Sequence, residues 1–217
     1  MKNILEFFAG LILSLFFLLL SIQIVFSIAS HIYIVEEYNN NLAVNLNIDK
    51  KILLNDINEL IDYTINKKNE TLDLKAFQLS ENAAIHFYEV KCIFLNLKNI
   101  FYWMILPVLL CLINIIFYKR EKYLIWMFKI SLIATIFIGM IFLLFEDKAF
   151  EMFHRIVFNN DYWIFDPNID YIIRALPQSF FIHSLYTILG IYFLFIIVAV
   201  CVQRKIIQRI NDKTISL

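Results

Sequence analysis

Only three glycines occur in the chain, and no glycine-rich loop, P-loop or Gly-x-Ser-x-Gly elbow is present. Nucleotide-driven chemistry and serine hydrolysis therefore have no support in the sequence. Cysteine is as scarce. Cys92, Cys111 and Cys201 are scattered, two of them in apolar runs, with no Cys-x-x-Cys or Cys/His ligand spacing. That pattern argues against a disulfide framework and a structural zinc cluster, and no cofactor is implied. The formal net charge is zero, so no nucleic-acid partner is expected. There is no internal repeat, and the one low-complexity tract is Asn39-Asn40-Asn41.

Apolar sequence is abundant. Hydrophobic residues make up 61% of the 217, gathered into long runs with few charges. Phe7 to Ser30 is apolar apart from serines and Gln23. As a helix it would be about 36 Å long, enough to cross a bilayer, and its core is too long for a cleaved signal. Three more runs follow: Phe101 to Tyr118, Tyr123 to Phe145 and Phe180 to Val202. Lys129 is the only charge inside the third, and its long stem lets it reach the near interface. So little charge within the spans argues against a transporter.

Orientation follows from the short connections. Lys119-Arg120-Glu121-Lys122 is basic, as is the tail with Arg204, Lys205, Arg209 and Lys213. Both read as cytoplasmic, which places both termini inside. The segment Glu146 to Ser179 has six acids and three bases and suits the outer side. The long segment His31 to Ile100 then lies outside too, since long loops translocate largely regardless of charge. The expected division is a first transmembrane helix (1–30), an extracytoplasmic cap segment (31–100), and the second and third transmembrane helices (101–145). A second extracytoplasmic segment (146–179), the fourth helix (180–203) and a cytoplasmic tail (204–217) follow.

Within the outer segment, Ile52, Ile57, Leu60, Ile61 and Ile65 recur near helical period. Leu72, Leu74 and Ala76 alternate, the pattern of a short strand. Ser80 reads as the N-cap of a helix carrying Phe87, Val90, Phe94 and Leu97, which feeds into the second span. The fold class predicted is mainly α: a four-transmembrane-helix bundle under a small mixed α/β extracytoplasmic cap.

This topology puts all four histidines outside. His31 ends the first span and His183 begins the fourth, positions that suit interfacial hydrogen bonding. His86 has Glu89 three residues away on the same helical face, where the carboxylate could orient the imidazole and favour His86 as a base. His154 shares an apolar face with Phe150, Phe153 and Val157. Glu151-x-x-His154 puts two metal-ligand types on one face, but no His-Glu-x-x-His motif supports a metal site. Asn159-Asn160-Asp161 and Asp166-Pro167 are turn signals, and Tyr162 and Trp163 suit interface anchors. Asp170 to Leu176 reads as a short surface helix, with Arg174 placed to pair with Asp166 or Asp170 or to hold a lipid phosphate.

The stretch Phe153-His154 to Tyr162-Trp163, with Phe165-Asp166-Pro167, Asp170, Ile173-Arg174, Leu176-Pro177 and Phe180-Phe181, resembles the signature of the bacterial lipoprotein intramolecular transacylases. His86 with Val90-Lys91 resembles a second motif of that family. The likeness departs at Asp161-Tyr162, where Gly-Asn is the family's pattern, and at Glu89, where aspartate is. The resemblance implies an integral enzyme of the bacterial cytoplasmic membrane with its active site on the outer side. His86 and His154 would be the catalytic pair, and Tyr88, Phe153, Trp163 and Arg174 substrate contacts. The implied substrate is a diacylglyceryl-modified lipoprotein, met in membrane lipid, whose sn-2 acyl chain moves to its N-terminal amine to give the lyso form. No metal takes part. The rival readings are a non-enzymatic four-span scaffold or assembly factor and a metal-dependent membrane hydrolase.

Overall fold

The structure, a computed structural model, describes residues 2–68, 70–118 and 122–215. Lys119, Arg120 and Glu121 and the side chains of Arg209 and Lys213, part of the orientation argument above, lie outside the described residues. Seven α-helices and one 3-10 turn account for most of them. The helices are α1 (Lys2–Asn40), α2 (Leu42–Leu46), α3 (Lys50–Ile65), α4 (Glu81–Tyr118), α5 (Lys122–Leu144), α6 (Glu146–Phe158) and α7 (Gln178–Ile215). The 3-10 turn is Tyr171–Arg174. Four helices are long and apolar enough to cross a membrane, over Asn3–Asn40, Glu81–Phe117, Lys122–Leu144 and Gln178–Lys205. The chain is a multi-pass membrane protein. α4 has 38 residues, about 57 Å at 1.5 Å per residue, whereas a bilayer core is about 30 Å thick. Its uncharged run starts only at Phe101, so the turns before it, His86 included, lie outside the membrane-spanning part.

The chain divides into two compact units. The first comprises Met1–Ile22, Ile100–Met140 and Ile188–Leu217. All four long helices contribute to its core: Ala9 and Leu13, Val108 and Cys111, Leu124 and Met127, Tyr192 and Ile196. Gly10 lets α1 approach α5 backbone to backbone. A Cβ there would lie 2.5 Å from Trp126 Cβ and 2.8 Å from Met127 N, the close contact that small residues permit between membrane helices. Within this apolar core, the hydroxyls of Ser14, Ser131 and Tyr192 satisfy one another at 2.5 to 3.0 Å. Lys129 is exposed, its ammonium 5.3 Å from the Trp126 ring centroid.

The second unit comprises Gln23–Asn99 and Ile141–Thr187. Its core gathers Tyr33, Leu46, Leu53, Ile57, Leu60, Phe77, Phe87, Ile172 and Phe180. α3 begins where Asp49 accepts from Lys51 N and Ile52 N, and it buries Ile57 and Leu60 of the predicted stripe together with Leu53, while the predicted Ile52 is exposed. α4 begins at Ser80, whose Oγ accepts from Ala83 N at 3.1 Å. The expected strand at 71–76 does not form, and among the described residues there is no strand, so the cap is helical rather than mixed α/β. Leu72, Leu74 and Ala76 do pack on the core. The backbone, however, finds its acceptor in the buried Asp56 carboxylate, with Lys75 N at 3.0 Å and Ala76 N at 2.7 Å, instead of in a neighbouring strand. The predicted surface helix at 170–176 is a 3-10 turn with Ile172, Ala175 and Leu176 buried. Tyr33 OH donates to Ala175 O at 2.7 Å, which holds this turn against α1.

Replacing Asp56 with alanine leaves two backbone N–H groups without their acceptor. A loss of about 1–3 kcal/mol is expected, read as a lower thermal midpoint. Hydrogen exchange should accelerate at Lys75 and Ala76 and stay unchanged in the first unit.

Candidate active site

His86 and His154 stand 68 positions apart in sequence and meet inside the second unit, their ring centroids 6.2 Å apart. His86 is on the second turn of α4 and is only 7% exposed. Phe158 meets it edge-on at 4.6 Å and Phe165 at 5.6 Å. His154 lies on α6, one turn before Asn159 ends that helix in the left-handed conformation (φ 53°). Glu146 and Asp147 in the first turn and Arg155 in the last suit the helix dipole. Phe150 at 4.2 Å, Trp163 at 5.0 Å and Phe158 at 5.6 Å surround the His154 ring. Two imidazoles thus share one aromatic enclosure.

Their hydrogen bonding differs. His154 Nδ1 lies 2.8 Å from Phe150 O. A carbonyl oxygen can only accept, so Nδ1 carries the hydrogen and the neutral ring presents Nε2 as a lone pair. His86 Nδ1 is buried without a hydrogen-bond partner. Glu89, expected to orient His86, instead accepts from Asn160 Nδ2 at 2.7 Å. Asn160 Oδ1 accepts from Tyr162 N at 3.1 Å, and its backbone oxygen accepts from Trp163 Nε1 at 2.8 Å. Trp163, read in the sequence as an interface anchor, is therefore fixed by its indole N–H with its ring against His154. Asp161 begins a turn closed by Ile164 N on Asp161 O at 3.1 Å. The positive φ in this segment belongs to Asn159, so the place where the family pattern has glycine accepts Asp161.

The other sequence candidates fall as follows. Phe153 packs edge-on against His154 at 5.4 Å and is half exposed. Tyr88 points away from the pair, into a hollow of about 330 Å³ with Lys67, Glu70, Lys91, Cys92 and Leu95. Arg174 lies over the Tyr171 ring at 4.8 Å. Its expected partner Asp170 spends both oxygens on Ser80, accepting from N at 2.7 Å and from Oγ at 2.8 Å. Glu151 bonds Arg155 Nε at 2.9 Å, and among the described residues no three His, Cys, Asp or Glu side chains are grouped to hold a metal. His31 is exposed. His183 pairs with the buried Glu36, which also accepts from Ser179 Oγ at 2.8 Å and Asn40 Nδ2 at 3.2 Å. Sequence reasoning missed Glu36 and Asn160. An acid just beyond an apolar run was the available signal for Glu36; for Asn160 there was only a turn.

Membrane-length helices, with two imidazoles enclosed by aromatic rings, define a polytopic membrane protein with a candidate acid–base centre. Residues 7–181 match the family described as lipoprotein intramolecular transacylase Lit, and the chain belongs to that family. Solved structures of the membrane-integral Lit from Bacillus cereus are similar in fold. One matches with a TM-score of 0.85 at 24% identity, covering 96% of this chain and 99% of that one. A variant of the same protein with a histidine replaced by arginine matches at 0.81 and 24%, covering 98% and 96%. Another, with a histidine replaced by alanine, matches at 0.78 and 26%, covering 97% of each chain. A comparison with curated protein sequences gave no match.

Burial, then the nearby His154, lower the His86 pKa from 6.5 to about 4. Burial also lowers that of His154, against the opposing pull of the Phe150 carbonyl. Both rings are thus neutral at pH 7. Between pH 6.5 and 4 an unfolded chain protonates at position 86 and the native one does not, so stability falls as pH falls. The slope for this one group is at most about 1.4 kcal/mol per pH unit. Thermal unfolding of the wild type should therefore shift down across that window more steeply than that of His86→Gln. Parallel shifts would show that His86 takes up its proton in the native state.

Proposed function

We propose that the protein is a lipoprotein intramolecular transacylase that moves the sn-2 acyl chain of a diacylglyceryl-cysteine to the free N-terminal amine. The observation that carries this reading is the pair of neutral imidazoles 6.2 Å apart inside an aromatic enclosure. Family membership supplies the substrate class.

The reaction exchanges an ester for an amide and needs no nucleotide. The amine nitrogen attacks the acyl carbon and loses a proton; the C2 oxygen leaves and gains one. The ring closed in the attack runs through nitrogen, Cα, Cβ, sulfur, glyceryl C3, glyceryl C2, ester oxygen and acyl carbon. Closing so large a ring is entropically poor unless a shaped site folds the substrate first. Phe150, Phe153, Phe158 and Trp163 offer that surface. A free α-amine, with a reference pKa of about 7.7–8.0, is mostly protonated at neutral pH. His154 has its Nδ1 hydrogen engaged and its Nε2 lone pair available, so it serves as the base. His86, favoured as base while Glu89 was taken as its partner, becomes the N–H donor that steadies the oxyanion; of the two protons the ammonium loses, His154 passes the first to solvent and returns the second to the departing C2 oxygen, so both rings end neutral.

The lipid-bearing substrate has a natural approach. α6 starts within two residues of the end of α5, and on it Phe153, in contact with the His154 ring, is half exposed, while Met152 and Ile156 are exposed apolar residues on the opposite side of the helix. The N-terminus, C-terminus and the turn between α4 and α5 lie in the cytoplasm in this reading, and segments 31–100 and 146–179 lie outside. The site then faces the leaflet where lipoproteins are anchored in the bacterial cytoplasmic membrane. Phe153 and Trp163 contact the acyl chain; Tyr88 and Arg174 have no part in this geometry.

The test is expression in a bacterium that makes diacyl lipoproteins, with the lipoprotein N-terminus read by mass spectrometry. Wild type should yield the lyso form. His86→Asn and His154→Asn should each cut its rate by about 10²–10⁴-fold. The double variant should be little worse than either single one if the two act as a unit, and a chelator should leave the rate unchanged. Near-wild-type product from the double variant would leave a non-enzymatic scaffold as the better reading. Reporters fused after Leu217 should be active only in the cytoplasm; activity outside would place the pair in the wrong compartment.

A further inference from the structure

One charged group beside the histidines has no part in the reaction as written. Glu89 lies one helical turn beyond His86 and on the same face. Its Oε1 is held by Asn160 at 2.7 Å, while its Oε2 is buried with no hydrogen-bond partner. Asn160 is saturated: one amide hydrogen goes to Glu89 and the other to Phe158 O at 3.1 Å, and its oxygen takes Tyr162 N. Asn160 therefore cannot swing round to cover Oε2. His86 Nδ1 is likewise buried and unpartnered. Both side chains face the segment 158–165, His86 through Phe158 and Phe165 and Glu89 through Asn160. Two unmatched polar atoms on one helix face, turned toward one loop, call for a shared polar occupant.

We propose that Glu89 is the positioning residue that binds the substrate's N-terminal ammonium before it is deprotonated. This rests on the transacylase reading. The reactive centre needs such a group. Both imidazoles are neutral and cannot attract a cation, and the aromatic rings offer it no hydrogen-bond acceptor. A carboxylate with one oxygen fixed and the other open accepts from one ammonium hydrogen and leaves the rest for an imidazole. The fixed oxygen matters as much as the open one. It ties the ammonium site to Asn160, hence to Trp163 and to the ring of His154. Glu89 takes no proton permanently and forms no bond to the acyl group; it sets where the nitrogen stands when His154 removes its proton.

The test compares two ligands in purified protein: a diacylglyceryl-cysteine peptide as substrate, and the same peptide lacking the α-amine as a competitive inhibitor. In Glu89→Gln, KM for the amine-bearing substrate should rise by about tenfold or more, as for loss of one charge-assisted hydrogen bond, with a smaller change in kcat. The inhibition constant of the amine-free analogue should stay within about twofold of wild type, since it never used the carboxylate. Glu89→Asp keeps the charge and should recover most of the preference for the amine. Equal weakening of both ligands would mean that Glu89 only supports the fold, and unchanged KM would mean that it binds nothing; either overturns the assignment. Wild-type protein that binds the substrate but never converts it would remove the transacylase reading, whereas normal wild-type turnover with an indifferent Glu89→Gln removes this inference alone.

Discussion

The second unit depends on a carboxylate that makes the same connection twice. Asp170 accepts from both the backbone N–H and the hydroxyl of Ser80, and the Ser80 hydroxyl in turn caps Ala83. Asp170 is almost fully buried, so the bonds form where water does not compete and their loss would leave a charge without partners. The first turn of α4 is thereby joined to the segment that follows α6. His86 and Glu89 ride on α4; His154, Asn160 and Trp163 belong to α6 and its exit loop. A shift of one residue at the Ser80 cap would turn α4 by about 100° and carry His86 off the face it shares with His154. The separation of the imidazoles is in this sense set at Ser80, two turns away.

Polar side chains also do in this unit what a sheet would do elsewhere. Asp56 holds the extended backbone at Lys75 and Ala76, and Tyr33 holds the carbonyl of Ala175. Glu36 gathers Asn40, Ser179 and His183 at the meeting of α1 with α7. Apart from the Asn40 contact within α1, each bond links segments far apart in the chain and costs little conformational entropy on the helix that presents it. The irregular segments are thereby tied to the helices, which suits the proposed site, whose task is to fold a flexible lipid into a reactive shape.

What could be read in the sequence was local. The apolar runs, the Ser80 cap and the helical period of α3 come from neighbours within a turn or two, and all are present. The strand expected at 71–76 came from the same local reasoning, and it failed because alternation describes which side chains are buried, not where the backbone hydrogen bonds go. The answer lay with Asp56, some twenty residues earlier. Glu89 and His86 sit at helical spacing, so pairing was a fair expectation; the competing amide of Asn160 is 71 positions away and invisible to spacing. Likewise Arg174 had two acids nearby, and Ser80 had already taken one of them. Helices were legible because their bonds are near in sequence, and the destinations of the acids were not because theirs are distant.

The enclosure of the histidines has an energetic logic of its own. Burial disfavours the charged imidazole, which costs stability at acid pH but keeps both rings neutral, as the proposed base and donor require. A dry setting also strengthens every hydrogen bond to charge that develops during reaction, and an oxyanion between the rings would meet little competition from water. The same setting cannot by itself recruit an ammonium group, because neutral rings provide no counter-charge. An acid at the edge of the enclosure resolves this only if it is held back from the imidazoles. A carboxylate bonded directly to His86 would raise that ring's pKa and favour its cationic form. With Oε1 committed to Asn160, Glu89 is held back from a direct bond to His86. In the proposed mechanism, its departure from the partner expected of it leaves an ammonium site one helical turn from a neutral His86.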